Sequence, residues 1–372
     1  MRKYIYQDRK WPNFRWDSAV LLRLAAGVRH QQGELRGQMR ALGFSPRQDA
    51  ALKTLTEDVV KSSEIEGERL NPETVRSSIA RRLGVEIGGL KPIDRDVEGI
   101  VAVMIDATTN YSNPLTEDRL FGWHNVLFPT GRSGLLKIAV GRWRDDAHGP
   151  MQVVSGPIGR EEVHYEAPPA ARLEGEMAKF LDWFNRETDV DPVIHAGLAH
   201  LWFVTLHPFD DGNGRIARAI ADMQLTRSEN DPQRFYSMSA QIREERDDYY
   251  EILKRTQRGT LDVTPWLEWF LRCLSRAIAR SGETSAEALK RARFWEKLDA
   301  LPLNERQRSV LRRYLEAFEG NLTTSKYAKL AKCSQDTAHR DILDLVGLGV
   351  LVQNPGGGRS TSYSLLRDRN RE

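Results

Sequence analysis

His207-Pro208-Phe209-Asp210-Asp211-Gly212-Asn213-Gly214-Arg215-Ile216-Ala217-Arg218 is a run in which nearly every position is chemically constrained. Gly212-Asn213-Gly214 can adopt positive φ, so consecutive backbone N–H groups can converge into an anion-binding nest. The residues from Arg215 to about Gln224 have helical composition. The nest therefore sits at a predicted helix N-terminus, where the helix dipole also favours a phosphate. Arg215 and Arg218 are three apart and share a face in the first turn, where two guanidiniums suit a polyphosphate. Asp211 offers hard oxygen to Mg²⁺ bridging phosphates. His207, just before the loop, titrates near neutrality and is the candidate base. Base, metal ligand, nest and arginine clamp are the parts that phosphoryl-type transfer needs. A core histidine, a glycine turn and surface arginines would account for any one of these residues, but not for all of them at fixed spacing. A Walker A loop is excluded because the chain contains no Gly-Lys pair, and His195 and His200 lack the HExxH spacing of a zinc protease.

Outward from this run the chain reads as mainly α. Leu52, Leu55, Val59 and Val60 mark one face of a helix from about Ala50 to Glu66, with Gly67 as its stop. Asn71-Pro72-Glu73 is a fresh helix start, and Thr116-Glu117-Asp118 caps another. Gln152-Val153-Val154 and Glu162-Val163-His164-Tyr165 flank Gly156-Pro157-Ile158-Gly159 and read as a β-hairpin. Pro168-Pro169 ends it, and an amphipathic helix follows from about Ala171 to Asn185. Near the N-terminus, Tyr4, Tyr6, Trp11, Phe14 and Trp16 are expected in the core, followed by a helical pattern at Leu21, Leu22, Leu24, Ala25 and Val28. Ser281 to Ser285 reads as a linker. Beyond it, Asn304 and Gln307 make a capping-box-like start, and helical patterns run over 305–318, 325–331 and 335–346. Strand-like 350–352 and 362–365 flank the turn at Asn354-Pro355-Gly356. Three helices and a β-wing outline a winged helix-turn-helix.

The chain has 372 residues, 40% hydrophobic and 29% charged, the proportions of a globular protein with two or three domains. It lacks an apolar run of membrane-spanning length and a secretory leader, and its two cysteines make no metal or disulfide framework. A reducing cytoplasm is the expected location. The net charge is +3, and the segment from Pro302 on carries 12 Lys and Arg against 8 Asp and Glu, so the positive excess lies there.

The run from His207 to Arg218 resembles the signature of the Fic family, HxFx(D/E)GNGRxxR, at every constrained position. The resemblance extends from about Pro114 to Ala277 and takes in Gly141-Arg142-Trp143-Arg144, Tyr165 to Pro169 and Asp247-Asp248-Tyr249-Tyr250. It implies a Fic helical fold with a hairpin flap. It also implies a protein adenylyltransferase that moves AMP from ATP onto a Tyr, Thr or Ser hydroxyl of a protein, itself included. His207 would be the catalytic base and Asp211 the Mg²⁺ ligand. Gly212, Asn213, Gly214, Arg215 and Arg218 would cradle the phosphates, with Tyr249 and Tyr250 flanking the base. The flap, residues 151–165, would align the target by strand addition. Gly214 stands where a phosphorylating relative has Lys, which implies AMP transfer. Ser62-Ser63-Glu64-Ile65-Glu66-Gly67 is similar to the family's inhibitory motif, (S/T)xxxE(G/N), and implies that Glu66 pairs with Arg218 and displaces ATP from its productive pose. Residues 1 to about 45 resemble an uncharacterised domain found ahead of other Fic domains.

These readings divide the chain into an N-terminal helical region (1–100, inhibitory helix about 50–67), a catalytic domain (101–280) and a winged-helix domain (285–372). Two other functions stay open. The last domain is a DNA-binding regulator if Lys326, Lys329, Lys332, Arg340 and Arg359 form a patch. Against this, Asp336, Asp341 and Asp344 lie on the recognition helix, so weak or no DNA binding is expected and an interaction or dimerisation module, a homodimer included, is favoured. Alternatively, the enzyme uses Glu66 to remove AMP.

Overall fold

The computed structural model describes residues 3–41, 44–87, 90–147, 149–155, 160, 162–299, 301–317, 322–355 and 361–366. It divides into two compact units, Met1–Ser285 and Ala286–Glu372. The fold is mainly helical with small antiparallel hairpins.

The first unit runs α1 (Ser18–Arg40), α2 (Phe44–Ile65), α3 (Pro72–Leu83), α4 (Arg95–Thr109) and α5 (Glu117–Leu127). Two hairpins follow, β1 (Arg132–Ser133) with β2 (Leu136–Lys137) and β3 (Gln152–Ser155) with β4 (Glu162–Glu166). Then come α6 (Leu173–Asn185), α7 (Pro192–Leu206), α8 (Asn213–Glu229), α9 (Met238–Glu244), α10 (Arg246–Gln257) and α11 (Thr264–Asp299), whose residues past Ser285 fall in the second unit. α7 is apolar all round and buried from Val193 to Leu206, as a helix enclosed by others must be. α8 packs along it and is buried over most of its length.

Local chemistry sets the helix starts. Asn71 accepts from the backbone of Glu73 and Thr74 with Pro72 in the first turn, and Thr116 accepts from Arg119. α2 begins six residues before the expected Ala50. The pattern near the N-terminus needs two corrections: of the aromatics expected in the core, Tyr4 and Tyr6 are buried, whereas Trp11, Phe14 and Trp16 are half-buried. Leu21, Ala25, Val28, Leu35 and Met39 are buried, but Leu22 is 70% exposed, because a helix turns its next residue about 100° away from the buried stripe.

The N-terminal aromatics brace the hairpin β3–β4. Tyr4 and Tyr6 meet the Tyr165 ring edge-on, at centroid distances of 5.1 and 6.3 Å. Tyr165 in turn donates to the Thr205 carbonyl at 2.7 Å, which anchors β4 to the last turn of α7. The hairpin pairs Val153 with Tyr165 and carries an irregularity between Val153 and Val154. Its turn, Gly156 to Gly159, lies outside the described residues.

Ser281 to Ser285, expected as a linker, is helical: α11 continues through it. A lone glycine costs a helix only about 1 kcal/mol, which its neighbours offset.

In the second unit, α12 (Glu305–Ala317), β5 (Leu322–Thr323), α13 (Thr324–Ala331), α14 (Gln335–Gly347), β6 (Leu351–Gln353) and β7 (Ser362–Leu365) enclose a core of Val310, Leu311, Tyr327, Ile342, Leu345 and Tyr363. The sheet order is β5-β7-β6, all antiparallel, and β5 adds a strand to the expected outline. Asn304 and Gln307 cap α12 reciprocally at 2.9 and 2.8 Å. Asp341 faces inward, accepting from Arg306 at 2.6 and 2.9 Å and from Tyr327 at 3.0 Å. It therefore does not contribute to the acidic face expected of α14. The Gly356 to Arg359 part of the expected wing lies outside the described residues.

Candidate active site

The loop between α7 and α8 is held by its own side chains. Asn213 accepts from the Phe209 N–H at 3.0 Å through Oδ1 and donates to the Phe209 carbonyl at 2.8 Å through Nδ2. Its amide is therefore engaged in shaping the loop. Gly212, in the left-handed region at φ +82°, caps α8, and no side chain caps the helix. The first backbone N–H groups of α8 are thus left for an anion.

His207 closes α7 in the left-handed conformation, φ +49° and ψ +58°. Its Nδ1 lies 3.3 Å from the Val204 carbonyl, so the ring proton sits on Nδ1 and Nε2 keeps its lone pair. Burial lowers the imidazole to about 4; Arg144 pushes the same way, while Val204, Glu66 and Asp211 oppose. The ring is neutral at pH 7, as a base must be.

Two residues that support this loop were not assigned from sequence. Arg144, 3% exposed, donates to the His207 carbonyl at 2.7 Å, to Pro168 at 2.6 Å and to Asp146 at 2.9 Å. It joins the base to the exit of the hairpin. His124 stacks on Phe209 with centroids 4.1 Å apart. Its Nδ1 accepts from the Gly141 N–H at 3.3 Å and its Nε2 donates to the Asp211 carbonyl at 3.2 Å. Burial lowers it to about 4, which keeps that tautomer neutral. A lone histidine on a helix carries no sequence signal for such a role.

The Asp211 carboxylate accepts from Ser133 and lies 3.9 Å from Arg215 Nη2, with 43% of its side chain exposed. Carboxylate and hydroxyl are hard oxygen donors, and one carboxylate is enough for Mg²⁺, which completes its shell with phosphate and water.

The structure brings α2 onto this site. Arg218 Nη2 contacts Glu66 Oε1 at 2.8 Å, and Ser62 accepts from the same guanidinium at 2.9 Å through both its hydroxyl and its carbonyl. The Glu66 carboxylate lies over Gly214 so closely that a Cβ there would meet it at 2.1 Å, so a side chain at this position would push the Glu66 carboxylate aside. Arg215, 5% exposed, is held by Glu68 at 2.9 and 3.0 Å, a partner the sequence motif did not indicate. Arg215 Nε and Arg218 Nη1 are buried without a partner among the described residues, so each arginine keeps a donor for an oxyanion.

A buried cluster fastens α2 further back. Arg234 bridges Asp58 of α2 at 3.0 Å and Asp222 of α8 at 2.5 Å, and Ser237 donates to Asp58 at 2.6 Å. Burial and the like charge of Asp222 push the Asp58 carboxyl up to about 7.

The two tyrosines separate. Tyr249 is 2% exposed, its hydroxyl meets His200 Nε2 at 2.9 Å, and its ring packs on Trp266 and Trp269. Its ring is buried in the core, and its hydroxyl, turned to His200, lies beside Arg218. Tyr250 donates to the Ile65 carbonyl at 3.4 Å, and Arg246 donates to the same oxygen at 3.1 Å. Both support the end of α2.

Residues 114–225 match the Fic/DOC family, and residues 4–85 match a domain of unknown function, DUF4172. The latter reaches beyond the expected 45 residues and includes the whole of α2. The chain is 35% identical over 144 residues to the protein adenylyltransferase Fic of Nematostella vectensis, covering 37% of this chain and 31% of that one. It is 30% identical over 131 residues to the protein of the same name in Drosophila willistoni, covering 34% and 25%. The chain thus spans under a third of the length of these curated relatives. A Fic family protein from Desulfovibrio desulfuricans G20 shares the fold at a TM-score of 0.54 and 21% identity, covering 95% of this chain and 97% of that one. A Fic domain containing signaling protein from Bacteroides thetaiotaomicron aligns at 0.51 and 20% identity, covering 72% and 96%.

Proposed function

We propose that this chain, whose residues 114–225 form a Fic/DOC domain, transfers AMP from ATP to a protein hydroxyl and is held back by its own Glu66. One observation carries the proposal. Among the described residues, a helix N-terminus without a side-chain cap and two buried arginines that each keep an unpartnered donor meet beside a neutral histidine whose Nε2 lone pair has no partner.

The reaction follows from these groups. The target hydroxyl oxygen bonds to the α-phosphorus of ATP, the bond from that phosphorus to the α–β bridging oxygen breaks, and pyrophosphate leaves. The hydroxyl proton passes to His207 Nε2. The N–H groups of α8 and the two guanidiniums hold the phosphate oxygens where negative charge collects. Asp211 would hold Mg²⁺, which supplies charge neutralisation between the phosphates. Arg144 and His124 act as positioning residues for the loop. β4 is braced on its outer side by Arg258, which donates to the Val163 and His164 carbonyls at 2.8 and 3.0 Å. This leaves β3 as the edge for a target strand.

In the second unit the element order and the β5-β7-β6 sheet support the winged-helix reading, which we assign to an interaction module.

Incubation with ATP labelled on the α- or the γ-phosphate tests the transfer. Label should enter protein from the α position only, and His207→Ala should lower it at least about 10²-fold while ATP binding persists. Label from the γ position would replace AMP transfer by phosphorylation. Release of AMP from pre-modified protein, without incorporation, would favour removal.

A further inference from the structure

We propose that Glu68 is a second, separate gate on the same anion site, one that sets how tightly any nucleotide binds, whereas Glu66 sets how ATP lies. The inference rests on the nucleotide reading above.

Both carboxylates are placed by a single helix ending. Gly67, at φ +88°, follows the last turn of α2. The Glu68 N–H donates to the Ser63 carbonyl at 3.0 Å and the Gly67 N–H to Glu64 at 3.1 Å, the paired bonds of a Schellman cap. The cap fixes the backbone of Glu66 and Glu68 on either side of one glycine, so their carboxylates reach two different arginines. Glu66 takes Arg218 at 2.8 Å, and Glu68 takes Arg215 Nη1 through both oxygens.

The two arginines are not equivalent. Arg215 lies in the first turn of α8, next to the bare N–H groups and 3.9 Å from Asp211. Phosphates seated on the nest reach Arg215 first, and ADP and ATP both have these. Arg218 is one turn deeper and 2% exposed, against Ser62, so a chain of phosphates starting on the nest would reach it only with its farther end, the phosphate that ATP has and ADP lacks. A carboxylate on Arg215 therefore competes with both nucleotides, and one on Arg218 with ATP alone.

Glu68→Gln removes the charge and keeps the shape, and because Glu68 serves the cap through its backbone, the fold is retained. Binding of ADP, ATP and inorganic pyrophosphate is measured by calorimetry on the full chain, wild type and variant. Half the Glu68 side chain is exposed, so solvent weakens the pair and the expected gain is about fivefold, equal for ADP and ATP. Glu68→Asp should fall between wild type and Glu68→Gln. Unchanged affinity for all three ligands, or a gain confined to ATP, would overturn the gate. If pyrophosphate binding strengthens while no variant binds ATP, the gate on an oxyanion site stands and the nucleotide reading falls.

Discussion

The C-terminus of α2 and the N-terminus of α8 meet at this site and are finished in opposite ways. The α2 end is closed. Its carbonyls are taken by a Schellman cap, by Arg218 on Ser62, and by Arg246 and Tyr250 on Ile65. The α8 end is left open, with no capping side chain and two buried arginines in its first turns. Glu66 and Glu68 of the closed end reach across to the two arginines of the open end rather than to its backbone N–H groups. One helix end is finished for stability, while the other is held ready for a ligand.

The strongest way to break this comparison is Glu66→Gly. It frees Arg218 and leaves the loop of Gly212, Asn213 and Gly214, Asp211 and His207 in place. Auto-modification should rise about 10²-fold, the scale on which misplacement of reacting groups slows a reaction. The double variant with His207→Ala should be silent. No rise in the single variant would mean that the Glu66–Arg218 pair does not restrain transfer.

Gly67→Ala attacks the closed end instead. A Cβ in the left-handed region costs about 1 kcal/mol, so the melting temperature should fall by roughly 3 °C. Because both carboxylates hang from this cap, activity should rise as stability falls. A loss of stability with no gain in activity would show that the latch does not depend on the cap.

The smallest effect is in the pH profile. His207 is lowered to about 4 by burial, and Glu66 acts to raise it. If His207 takes the hydroxyl proton as proposed, the neutral ring is the active form, so kcat/KM should stay level from neutrality downward and fall as the pH drops through about 4. In Glu66→Gly the raising charge is gone, and the inflection should move to lower pH. An inflection at the ordinary histidine value would remove burial as the controlling factor.

Much of the site was legible because its chemistry lies within a few residues. The run from His207 to Arg218 places base, carboxylate, nest and arginines by spacing alone, and the capped helix starts at Asn71, Thr116 and Asn304 follow from local hydrogen bonding. Tyr249 was legible only as an aromatic on a helix, and its turn toward His200 and the core depended on neighbours far along the chain. The continuation of α11 through Gly282 escaped for a related reason, since propensity is weak and the surrounding helix overrides it.

The sequence by itself determined the family resemblance and the nest at the head of α8, because each rests on residue types at short, fixed separations; the pairing of Glu66 with Arg218, far apart in the chain, was implied only by that resemblance. The tertiary structure decided what lies across those separations. Arg144 ties His207 to the hairpin exit, His124 holds the carbonyl of Asp211, Arg234 fastens Asp58 to Asp222, and Glu68 sits on Arg215. The partners in most of these contacts are 60 or more residues apart in the chain, and no periodicity or motif encodes such a distance. The contacts exist because packing α2, α5 and the hairpin around the buried pair α7–α8 leaves polar groups inside, and each of those groups must find a partner there.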